Sequence, residues 1–128
     1  MISVIIPTYN RSSLLERAVI SVQNQSISCA EILVIDDGST DTTKEIISQL
    51  SERSKVELRY IYQKNKGASA ARNRGIFEAR HDILCFIDSD DQWDAHKLEI
   101  QLAAMEREPD YLISHTKEIW YRQDKRIN

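Results

Sequence analysis

Three short segments of the chain are continuously apolar and rich in β-branched residues: Ser3 to Pro7 (SVIIP), Ile32 to Ile35 (ILVI) and Ile83 to Ile87 (ILCFI). Runs of this kind, without polar alternation, predict strands buried on both faces, as in a parallel sheet between helical layers. Val56 to Tyr62 (VELRYIY) alternates and carries charge, so it reads as an edge strand. Helical periods lie between the strands. Leu14, Leu15, Ala18, Val19 and Val22 form one stripe behind the capping candidates Ser12 and Ser13. Ile46, Ile47 and Leu50 form a second, started either by Asp41 as cap or by a Thr42–Glu45 capping box. Ala68, Ala71, Gly75 and Ala79 give a face almost without bulk, which predicts close packing on a sheet. A fourth helix is predicted from Asp94 through Leu102 and Met105 to Pro109, with Trp93 and Leu98 as a hydrophobic staple. Tyr111 to Ser114 reads as the start of a further strand.

The order βαβαβαβα predicts an α/β domain with a mostly parallel sheet and helices on both faces, joined by right-handed crossovers. Ligands in such folds bind beyond the carboxyl ends of the strands, near the switch in strand order. The unusual polar clusters fall at those ends. Pro7-Thr8-Tyr9-Asn10 follows the first strand, Asp36-Asp37-Gly38 the second, and Asp88-Ser89-Asp90-Asp91 the strand after the bulk-free helix. Two carboxylates about 5 Å apart repel by roughly 3 kcal/mol at an effective dielectric near 20. An acidic tip of this density therefore calls for a cation.

Composition narrows the partners. The 128 residues are 29% charged with a net charge of −3, typical of one globular domain. No basic block or stripe offers itself to nucleic acid or to an anionic surface. Cys29 and Cys85 have no ligand spacing, and Cys85 sits inside an apolar run, which fits a reducing cytoplasm. No window approaches the ~20 apolar residues of a membrane-spanning helix, and the start "MISVIIPTYN" does not read as a signal peptide.

Four pieces, "SVIIPTYNR", "ILVIDDGSTD", "NKGASAARNRGI" and "ILCFIDSDDQW", together resemble the nucleotide-binding half of family 2 inverting glycosyltransferases. The resemblance covers roughly residues 2 to 105 and implies the GT-A fold. It implies a nucleoside-diphosphate-sugar donor, a UDP-sugar above all, with Mn²⁺ or Mg²⁺ as cofactor and transfer with inversion to a glycan or lipid-linked acceptor. It also extends the expected location to the inner face of a membrane, as a peripheral protein. By the resemblance, Asp88, Asp90 and Asp91 are the metal ligands, Asp90 and Asp91 foremost, with Asp88 and Ser89 also facing the donor. A hard dication held by a few carboxylates and substrate phosphates fits such a set. Asp36 and Asp37 match the nucleoside pocket, with Asp37 the better partner for the base. From the residues alone an Asx-type turn with Gly38 serves equally, and both can hold. Pro7, Thr8 and Tyr9 match the loop along the nucleoside, although Tyr9 could equally be packing. Arg72 matches an arginine facing the nucleotide, and Gly67 is expected to let the backbone approach the ligand. His81, His96 and His115 share no spacing and are read as surface groups.

No acid after the acidic tip matches the family's general base. Residues 1–128 are therefore expected to form a single donor-binding domain that stops before the acceptor-binding and general-base segment. A module that binds nucleotide sugars without catalysis is the alternative. A phosphatase of the haloacid dehalogenase type would carry its Asp-x-Asp on the first strand. A receiver domain would need an acidic pair there and a lysine after the fifth strand. Neither arrangement is present.

Overall fold

The computed structural model describes residues 1–128. The chain runs β1 (Ile2–Thr8), α1 (Ser12–Gln23), β2 (Glu31–Asp36), α2 (Thr43–Arg53), β3 (Glu57–Tyr62), α3 (Ala68–Glu78), β4 (Ile83–Phe86) and α4 (Lys97–Arg107). A hairpin of β5 (Tyr121–Arg122) and β6 (Lys125–Arg126) follows. Strands β1 to β4 form one parallel sheet in the order β3-β2-β1-β4. The chain builds outward from β1 to β3, then crosses back to place β4 on the other side of β1. The switch in strand order therefore lies between β1 and β4, the place where α/β sheets bind ligands.

Alternation along the strands divides the core. Val4, Ile6, Ile32 and Val34 meet Leu15, Val19 and Val22 of α1, Ile47 of α2 and Leu98 of α4 on one face. Ile5, Leu33 and Ile35 meet Ala71 of α3 on the other. The bulk-free face of α3 is used as expected. A Cβ on Gly75 would lie 2.3 Å from Cγ2 of Ile5, so the helix rides directly on the central strand.

A buried hub closes the amino-terminal edge. Glu31 is fully buried, yet its carboxylate accepts hydrogen bonds from Ser3 Oγ (2.7 Å), Arg59 Nη1 (2.8 Å) and the Arg80 N–H (2.8 Å). Burial alone would raise its pKa, but these donors outweigh burial and hold it below the ordinary carboxylate value.

Four expectations need correction. Strand β4 is an edge strand rather than a doubly buried one, and Phe86 is left 41% exposed. An apolar run does not reveal strand order, and at a sheet edge it is only half covered. Helix α4 begins at Lys97, not Asp94, because Asp94 forms a turn: its carboxylate accepts from the His96 N–H and its carbonyl from the Lys97 N–H. Tyr111 to Ser114 forms no strand; the Tyr111 N–H only closes a turn onto the Glu108 carbonyl at 3.0 Å. The helix starts also differ. Asp41 serves both, its Oδ2 accepting from the Ser12 N–H of α1 and its Oδ1 from the Thr43 N–H of α2. No Thr42–Glu45 capping box forms.

Gly75→Ala is expected to destabilise the fold by about 1–3 kcal/mol through overpacking against Ile5, although alanine is the better helix former. Urea unfolding checks this, and a stabilised variant contradicts it. Glu31→Ala is expected to cost roughly 3 kcal/mol by removing the buried acceptor shared by Ser3, Arg59 and the Arg80 N–H. Because the folded pKa of Glu31 is lowered, its contribution is present above the unfolded value of 4.5 and lost as pH falls through the folded one. Urea titrations across that acid range should show this loss in the wild type and not in Glu31→Ala.

Candidate functional site

At the carboxyl end of β1, Pro7 and Thr8 are buried while Tyr9 stands half exposed. Thr8 is 4% exposed and its Oγ1 has no hydrogen-bond partner. A buried hydroxyl left unpaired is costly and marks a place where a ligand or water completes the structure. Asn10 turns the chain with a positive φ of 49°. Its N–H donates to Ser39 Oγ and its Oδ1 accepts from the Thr40 N–H, both at 2.8 Å. The loops after β1 and β2 are thereby clasped together.

The two aspartates after β2 divide their work. Asp36 shapes the turn: Oδ1 accepts from the Ser39 N–H (2.9 Å) and Oδ2 from the Tyr60 hydroxyl (2.5 Å), while Gly38 adopts φ 90°. Burial and the bond to Asp36 together raise the Tyr60 pKa. Asp37 is 4% exposed and holds the β3–α3 loop. Its Oδ1 accepts from Gln63 Nε2 and the Lys66 N–H, and its Oδ2 from the Gly67 N–H, all at 2.8 Å. Burial pushes its pKa up, but the three donors outweigh burial and keep it low, so it stays anionic. With a single partner, Oδ2 keeps acceptor capacity for a ligand.

Gly67 opens α3 at φ 96°, a conformation that favours glycine. Nothing lies within 4 Å of where its Cβ would be, leaving room for a ligand against the backbone. One turn on, Arg72 reaches the acidic tip, its Nη2 2.6 Å from Asp88 Oδ1.

The tip gathers Asp88, Asp90 and Asp91 with one carboxylate oxygen from each within 4.8 Å of the others. Ser89 is buried between them, and the Asp91 N–H donates to the Asp88 carbonyl at 3.0 Å, which turns the loop back on itself. Two of the acids are matched by guanidinium groups, Asp88 by Arg72 and Asp90 by Arg11 (2.6 Å). Asp91 has no such partner. Burial, then the charges of Asp90, Asp88 and Glu118, raise its pKa against the pull of Arg17. A hard oxygen set already drawing two cations, with one acid left over, is chemically suited to Mg²⁺ or Mn²⁺.

The structure thus brings the acidic tip to Arg72, and Asp37 to Gly67 on the loop leading into Arg72's helix. Arg11 and Arg17 were not foreseen. A cation at the start of α1, where Ser, Thr, Asp or Asn is preferred, was the signal available. A hollow of about 430 Å³ is lined by Asp36, Lys44, Tyr60 and Tyr62 among others, and no acid of the tip borders it.

The model of glycosyl transferase family 2 matches residues 3–125. The chain belongs to that family. It is 37% identical over 127 residues to the uncharacterized glycosyltransferase alr2836 of Nostoc sp., covering 99% of this chain and 39% of that protein. It is 36% identical over 105 residues to the Escherichia coli UDP-Glc:alpha-D-GlcNAc-diphosphoundecaprenol beta-1,3-glucosyltransferase WfgD, covering 82% and 41%. Among solved structures, S. aureus TarS 1-349 in complex with UDP-GlcNAc superposes with a TM-score of 0.75 at 30% identity, covering 83% of this chain and 31% of that one. The expected GT-A architecture is therefore the one observed. The family assignment covers most of the chain, and the chain spans about two fifths of both curated relatives. No helix is long and apolar enough to cross a membrane.

Asp37→Ala is expected to release the β3–α3 loop, since it removes the acceptor of two backbone N–H groups. Hydrogen exchange at the Lys66 and Gly67 amides should speed up while α1 and β1 stay protected. Unchanged exchange at these two amides would count against this role.

Proposed function

We propose that the chain is the donor-binding part of a metal-dependent glycosyltransferase that transfers a sugar from a UDP-sugar, with inversion, to a glycan or lipid-linked acceptor. The observation that carries the reading is the acidic tip, placed beside Arg72 at the switch between β1 and β4. The names of the relatives support the donor and acceptor classes: WfgD takes UDP-Glc and a diphosphoundecaprenol-linked sugar, and TarS 1-349 is solved with UDP-GlcNAc. In this reading residues 1–128 form one nucleotide-sugar-binding domain, and the acceptor segment and the general base are supplied elsewhere.

Each residue then has a physical task. Asp90 and Asp91, with Asp88, would hold Mn²⁺ or Mg²⁺, which would supply charge neutralisation for the departing diphosphate. Arg72 offers its guanidinium fork to the phosphates. Asp37, kept anionic and held still by the loop it anchors, accepts the N–H of the base at Oδ2. Thr8 and the backbone at Gly67 border the nucleoside, Pro7 stiffens the strand end beneath it, and Tyr9 flanks it. Ser89, buried in the tip, sets the spacing of its acids. No side chain of this chain is assigned as general base, so the residues described here bind and orient the donor.

Calorimetry with UDP should show binding that strengthens sharply with Mn²⁺. Loss of a group that merely supports a metal ligand costs about 10- to 100-fold in metal affinity, so Asp90→Ala should abolish at least that much of the metal effect. Metal-independent UDP binding would contradict the reading. Metal-dependent UDP release from a UDP-sugar would establish turnover by this chain. Binding without release would identify a non-catalytic module.

A further inference from the structure

Arg11 occupies a position that local helix physics does not explain. It is the residue before α1, with no side-chain capping bond, where a cation faces the positive end of the helix dipole. Its guanidinium points to the acidic tip instead, with Nη1 2.6 Å from Asp90 Oδ2. Arg17 supports the same loop from α1, donating to the Asp90 carbonyl at 3.0 Å. Both partners of the Arg11–Asp90 pair are nearly half exposed, 49% and 44%, and a pair that open to water is only weakly held. A dication bound through Asp90 would carry twice the charge and would compete with the guanidinium for the same carboxylate.

We propose that Arg11 is a displaceable counter-ion of Asp90 that gives way to the dication and then binds the donor's diphosphate. This rests on the reading of the acidic tip as a metal site. While the tip is empty, Arg11 relieves the repulsion among its acids. Once Asp90 is taken, the freed guanidinium lies within one side chain's reach of whatever the cation holds. Its planar fork then meets phosphate oxygens, the anion it matches best. Arg11 therefore opposes the metal alone and favours the metal with its nucleotide. A solvated or merely structural arginine does not give that reversal.

The test measures two affinities: Mn²⁺ alone by electron paramagnetic resonance, and UDP at saturating Mn²⁺ by calorimetry. Wild type is compared with Arg11→Gln, Arg11→Lys and Arg74→Gln, Arg74 being paired with Glu78. Arg11→Gln should bind Mn²⁺ alone about two- to fivefold more tightly, the size of an exposed ion pair. It should bind UDP with Mn²⁺ about tenfold more weakly, the size of a charge-assisted hydrogen bond. Arg11→Lys should fall between, and Arg74→Gln should match wild type. If Arg11→Gln weakens both affinities, or leaves that for Mn²⁺ unchanged while wild type binds the ion, this inference is overturned and the metal site stands. If neither wild type nor Arg11→Gln binds Mn²⁺, the metal site itself is wrong and the inference falls with it.

Discussion

The contact between Gly75 and Ile5 sets the geometry of the site. With no Cβ at residue 75 and only a methyl at Ala71, α3 rests directly on the central strand. That depth brings Arg72, next to Ala71, within 2.6 Å of Asp88 beyond β4. A bulkier residue at 75 would lift the helix from Ile5 and carry Arg72 away from the tip. A packing constraint in the core thus fixes the position of the Arg72 charge at the surface.

The two edges of the sheet are finished differently. The amino-terminal edge is sealed by the Glu31 hub, where one buried carboxylate ties β1, β3 and the turn before β4. The carboxyl-terminal edge is braced but left accessible. Asp41 ties α1 to α2, Asn10 clasps the loop after β2, and Asp37 holds the loop into α3. Loops braced in this way around exposed acids would leave little ordering cost for the proposed donor and cation to meet at binding. The separation of roles between Asp36, which turns the chain, and Asp37, which anchors a neighbouring loop, belongs to the same design.

Much of this was legible in the sequence, for physical reasons that also explain the rest. Continuous β-branched runs located β1, β2 and β4, and the row of small residues announced the closeness of α3. Strand order left no such mark, so Phe86 was expected inside and stands at an edge. Tyr111 to Ser114 has strand-like residues but no neighbouring strand to pair with, and propensity without a partner does not make a ladder. Asp41, one of two starts open for α2, and Asp94, the expected start of α4, are local readings, whereas a carboxylate's choice among nearby N–H groups is decided in three dimensions. Arg11 was overlooked because a single charge after a loop reads as solvated. Its location at the wrong end of a helix was the clue.

The central claim is spatial: one cation site at the tip of β4, adjoining the pocket built by the ends of β1 and β2. Paramagnetic broadening of backbone amide NMR signals by substoichiometric Mn²⁺, with UDP present, tests it most directly. Signals of residues 88–91, 9–11 and 72 should broaden first, while UDP shifts those of residues 36–38 and 66–67. Broadening centred on another carboxylate group, such as Glu57 and Glu78, with the acidic tip unaffected, would contradict the central claim.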